Sequence, residues 1–90
     1  MTTILEIKQR NRDAGQHFFD ESTMRFFNSR ISHQTFGDYF VTSEKGPSGI
    51  RAYTVRYQDE NGHIQTVGEF QQYATLQEAL AVARIAHLHS

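Results

Sequence analysis

Three strand-like runs, set apart by two tight-turn sequences, fill the middle of the chain. DYFVTSE (38–44), IRAYTVRYQ (50–58) and HIQTVGEF (63–70) are rich in aromatic and β-branched residues, which suit a pleated, half-buried surface. KGPSG (45–49) places Pro47 between glycines and reads as a turn. DENG (59–62) is a hairpin signal in which Gly62 is free to take positive φ. The central run alternates, with Arg51, Tyr53, Val55 and Tyr57 on one face and Ile50, Ala52, Thr54 and Arg56 on the other. The aromatic face makes the better core, so it is expected inside, with Arg51 at its rim.

A meander of this kind needs an apolar cover, and the flanking sequences supply helices. TILE (3–6) has the capping-box pattern, Thr3 with Glu6. A helix over 4–14 then gathers Ile4, Ile7 and Ala14 near one side and Lys8, Arg10, Arg12 and Asp13 on the other, and Gly15 suits its end. TLQEALAVARIAHLH repeats the box with Thr75 and Glu78 and predicts a helix over 76–88. Leu76, Ala79, Leu80, Val82, Ala83 and Ala86 form its apolar face. Between the first helix and the strands, HFFDESTMRFF (17–27) concentrates four Phe and one Met. Phe19, Thr23, Phe26 and Phe27 follow helix spacing, so a short helix is expected over 20–27. The segment reads as a plug, with Phe19, Phe26 and Phe27 mostly buried on a sheet. SRISHQTF (29–36) is open as a further edge strand. The expected fold is α+β in one domain, 1–90. It is an antiparallel meander of three or four strands packed by N-terminal and C-terminal helices on one face.

Composition narrows the classes of function. A 90-residue chain buries only about 60–65% of its unfolded surface, and its seven Phe and four Tyr are efficient core material. There is no Cys, which fits a reducing cytoplasm and leaves neither disulfide nor thiolate site. No apolar run reaches the ~20 residues that span a bilayer, and MTTILEIKQR lacks the basic and apolar regions of a signal peptide. The expectation is a cytoplasmic protein without membrane association. Residues 1–35 hold five Lys/Arg against four Asp/Glu, and residues 36–90 hold four against six, which sums to the net charge of −1. Neither half is a basic block, so nucleic-acid binding is disfavoured.

The run GQHFFDESTMRFFNSRI, followed by YFVTSE, RAYTVRYQ and GHIQTVGEFQQYAT, carries a resemblance. It resembles a small family of unknown function found in phage, prophage, plasmid and bacterial genomes. The family pattern is HFF-x3-TMRFF-x-SR, YFVTSE, YTVR and G-x-I-x-T-x-G-x-F, and the likeness covers roughly residues 11–83. It implies mobile-element ancestry and supplies no catalytic residue.

Catalytic and metal spacings are missing. His17, His33 and His63 are scattered, and His87 and His89 point apart on a helix, so a solvated helix end is the favoured reading. Ser22, Ser29, Ser32 and Ser43 lack a nucleophile-elbow context. GPSG (46–49) precedes a strand and is too short to cradle phosphate. No catalytic residue, metal or cofactor is expected. The order helix–strands–helix resembles the double-stranded RNA-binding domain, but the last helix begins with ATLQEAL, acidic where that domain is lysine-rich. The candidate interaction patch is Arg25, Arg30, Arg51 and Arg56, with Tyr39 or Tyr53 beside them. The plain alternative is surface arginines paired with neighbouring acids. The expected function is a non-enzymatic module that binds a protein, a host protein or a second copy, for which the sheet edges are suited. The alternative is a nucleic-acid-binding domain using the Arg/Tyr patch.

Overall fold

Thr3 and Thr75 start the two long helices. Each hydroxyl accepts from the backbone N–H three residues on, Glu6 at 3.3 Å and Glu78 at 3.2 Å, and each Glu carboxylate returns toward its Thr. The computed structural model describes residues 2–26 and 28–90. The elements are α1 (Ile4–Asp13), α2 (Glu21–Phe26), β1 (Arg30–Ile31), β2 (Tyr39–Lys45), β3 (Arg51–Gln58), β4 (Ile64–Val67) and α3 (Leu76–Leu88). The strands form one antiparallel sheet in the order β1-β2-β3-β4, and the fold is α+β.

Register decides which residues share a face. Val41 is opposite Val55 and Val55 opposite Val67, and these side chains pack under Ala79 and Ala83 of α3. The alanines let the helix backbone approach the sheet closely. One residue along β2, Phe40 points to the opposite face and meets Ile4 and Ile7 of α1 together with Phe19. The helices therefore cover both faces, not one. Thr54, Arg56 and Gln58 carry polar side chains on the second covered face, where alternation alone predicts exposure. All three are buried, with hydrogen bonds to Glu44, Thr42, Thr66 and the backbone of Ile7 and Gly62.

Two turns hold the meander. Pro47 occupies the second position of a turn in which Gly49 N–H donates to Gly46 O at 2.9 Å. At the β3–β4 turn, Gly62 has φ 82°, and an added Cβ would lie 2.7 Å from the Arg10 carbonyl. This close approach lets Asn11 and Gln58 both donate to Gly62 O, tying α1 to the hairpin. β4 stops at Val67 rather than running to 70. The chain takes left-handed φ at Gly68 and again at Gln71, then returns to pair Tyr73 with Tyr53.

The aromatic segment divides in two. Phe18 and Phe19 plug the α1 face: their rings meet edge-on at 4.8 Å, and Phe19 lies 5.9 Å from Phe40. Phe26 is 78% exposed, contrary to the expectation of burial. The reason is local. Met24 N–H bonds Asp20 O and α2 begins at Glu21, so Phe19 lies in the turn before the helix, outside the period that was counted from it. The expectation for Phe27 lies outside the described residues. Phe26→Ala should accordingly change unfolding free energy by no more than about 0.5 kcal/mol, as exposed positions do, and urea titration reads this directly. A loss of several kcal/mol would put Phe26 back in the core.

Candidate interaction site

The five patch residues go to different places. Arg56 points into the α1 face and is 9% exposed. Its Nε donates to Thr42 Oγ1 at 3.0 Å, one terminal nitrogen to Thr66 Oγ1 at 2.6 Å, and the other to Glu44 Oε2 at 3.5 Å. The guanidinium also lies over the rings of Phe18 and Phe70, 5.3 and 5.6 Å from their centroids. Burial pulls its pKa down from the ordinary value, and the charge and hydrogen bond of Glu44 oppose that. Arg56 is thus a structural cation. Arg25 pairs with Glu21 one helical turn away, on the exposed surface of α2. Tyr39 packs against Tyr57 with ring centroids 4.8 Å apart and lies near His87 toward the end of α3.

Arg30 and Arg51 do come together. Arg30 is opposite Ser43, Ser43 is opposite Tyr53, and Lys45 is opposite Arg51. These side chains share the face that α3 covers farther along the sheet. At this corner Arg30 and Arg51 border a cleft of about 220 Å³, with Ser43, Val41 and Tyr53 along it and Leu76 of α3 at its side. One terminal nitrogen of Arg51 is held by three acceptors: Ser43 Oγ at 2.9 Å, Asn28 O at 3.0 Å and Ser43 O at 3.2 Å. The guanidinium is fixed, while its Nε and second terminal nitrogen have no acceptor among the described residues. No described carboxylate pairs with Arg30, Lys45 or Arg51, although Arg10, Arg25 and Arg56 all have one. Lys45 directly opposite Arg51 is a like-charge cross-strand pair, which costs stability.

Tyr53 and Leu76 complete the cleft, and Lys45 adds a third cation opposite Arg51. Lys45 was legible in principle, because it and Arg51 flank the Gly46–Ile50 turn and must face each other if the hairpin closes there. Helix spacing puts Leu76 on the apolar face of α3, yet it is 38% exposed and borders the cleft.

A second cleft, of about 370 Å³, lies between the His17–Phe18 turn and β4 and includes Thr23 and His63. His17 Nδ1 is 2.8 Å from Asp20 Oδ2. Thr23 Oγ1 donates to the backbone oxygen of His17 at 2.9 Å, so its proton is not directed at an imidazole nitrogen. Among the described residues no three His, Cys, Asp or Glu are grouped to hold a metal ion. No described helix is long and apolar enough to cross a membrane.

Residues 3–84 match the family described as "Family of unknown function (DUF7447)". No curated protein and no solved structure matches the chain.

Proposed function

The chain belongs to this family of unknown function, so its activity has to be read from its own surface, and we propose that it is a small non-enzymatic module that binds a protein partner. The supporting observation is the corner where Arg30 and Arg51 meet the side chains of Tyr53 and Leu76, with Lys45 directly opposite Arg51 and none of the three cations paired with a described carboxylate. Arginine beside an aromatic ring is the composition enriched at interface hot spots. The corner adjoins β1, a two-residue strand at the edge of the sheet, and at the other edge β4 has a strand neighbour on one side only. The motif likeness to phage, prophage and plasmid proteins supports a mobile-element setting, with a cytoplasmic host protein as the partner.

The same cations favour one further reading, nucleic acid held through phosphates. The two differ in salt dependence, because counterion release makes phosphate binding fall steeply with ionic strength. The test is capture from host lysate with and without nuclease, repeated with an Arg30→Glu/Arg51→Glu variant. The expected result is a discrete protein that survives nuclease and is lost with the variant. Capture that vanishes with nuclease, together with tight binding of bare duplex, would replace this reading with the nucleic-acid one.

A further inference from the structure

We infer that the Arg30–Arg51 corner recognises an acidic side chain presented by an extended peptide, with an aliphatic residue of the same peptide against Tyr53 and Leu76. This rests on the proposal that the chain binds protein, and it names the chemistry of the partner. Three cations gather at one end of the β2–β3 hairpin without a described carboxylate partner, and two of them are directly opposed across the strands. Lys8, Arg12 and Arg84 also lack a described carboxylate partner, so what sets this corner apart is the gathering of cations, with Lys45 and Arg51 directly opposed, where a nearby acid would relieve their repulsion. Glu44 is next to Lys45 in sequence, but strand alternation sends it to the opposite face, where it bonds Thr54 and Arg56. The corner is complementary to an anion that the chain itself does not provide.

Geometry selects a carboxylate. Arg51 is immobilised through one nitrogen only, which leaves the edge formed by Nε and the other terminal nitrogen for a planar, two-point acceptor. Arg30, exposed on β1, reaches the same cleft from the other side. At about 220 Å³ the cleft is below the roughly 300 Å³ at which small-molecule sites begin, so it suits one side chain rather than a nucleotide or cofactor. Its walls include Val41, Tyr53 and Leu76, which a phosphate backbone would leave unused. In an extended peptide, residues two apart point to the same side. A Glu with Leu, Val or Ile two positions away therefore offers both groups to the corner at once.

The test is a two-dimensional NMR titration of the full chain with a pool of terminally capped peptides carrying Glu two residues from Leu, Val or Ile. The same pool with Gln for Glu and a bare duplex oligonucleotide are run alongside. The expected result is saturable shifts at Arg30, Ser43, Arg51, Tyr53 and Leu76 with the Glu pool. Binding should be roughly tenfold weaker or more with the Gln pool, since a charge-assisted pair is lost. Arg30→Gln should weaken the Glu pool to a similar extent while melting no lower than wild type, because no described group depends on Arg30. Equal response to both pools, no saturable shift at the corner, or tighter binding of the oligonucleotide would each overturn the inference. If the Glu pool fails while the wild-type chain still captures a protein after nuclease, the corner is not the acidic-peptide site and the binding-module reading stands. Failure of both removes both.

Discussion

Glu44→Ala will destabilise the fold by about 3–5 kcal/mol, the loss seen when one partner of a buried ion pair is removed. Glu44 is 2% exposed and Arg56 9%. The carboxylate accepts from Thr54 Oγ1 at 2.8 Å and faces Arg56 at 3.5 Å. Glu44 is what opposes the downward pull of burial on Arg56. An arginine does not shed its proton near neutral pH, so without Glu44 the guanidinium is left charged and enclosed by Phe18, Phe70, Thr42 and Thr66. Thr54 also loses its acceptor, and it is the hydroxyl that receives Gln71 N–H at 2.9 Å, so the return loop after β4 loosens as well. Urea denaturation measures the loss. The pair itself is not the main source of stability, since burial costs both ions much of what they gain from each other. A Glu44→Leu/Arg56→Met double variant should therefore be more stable than Glu44→Ala alone. A cost below about 1 kcal/mol for Glu44→Ala would mean that water reaches the guanidinium and that the pair behaves as a surface bridge.

Phe40→Ala should cost roughly 3–5 kcal/mol, the range for a large aromatic removed from a packed interior. Phe40 has no exposed surface and sits where α1, the Phe18–Phe19 turn and β2 converge. Its ring faces Phe19 at 5.9 Å and Phe18 at 6.5 Å, so truncation opens a cavity lined by groups from three separate segments. The short α2 follows this turn directly and has no buried side chain of its own among its described residues, so it should loosen together with the turn. The observable is a lowered urea midpoint with an unchanged slope, since the surface exposed on unfolding is nearly the same. Phe40→Leu should recover more than half of the loss. A Phe40→Ala protein as stable as wild type would mean that the α1 face is held by its polar bonds alone, through Asn11 and Gln58 to Gly62 O and Gln58 to Ile7 O.

Much of the architecture was legible from local chemistry. Both capping boxes act through neighbours three residues apart, and both helices start where Thr3 and Thr75 predict. Turn sequences located two hairpins because Gly and Pro act on their own φ angles. The candidate site was less legible. Arg30 and Arg51 were named, but so were Arg25, Arg56 and Tyr39, which the fold distributes to α2, the α1 face and the far end of β2. No local rule tells four arginines apart when each is flanked by ordinary residues.

What the sequence determines by itself is therefore the set of elements and their order. Capping, turn formation and strand propensity depend on residues a few positions apart, and those are written consecutively in the chain. What only the tertiary structure decides is which polar side chains are inside and which cations are left over. Arg56 is buried because Thr42, Glu44 and Thr66 arrive from two neighbouring strands to satisfy it. Arg51 stays at the surface because its opposite residue is Lys45 and the nearby Glu44 faces away. Both arginines belong to the same eight-residue strand, and their fates differ because burial of a charge depends on partners that register and packing bring from elsewhere in the chain.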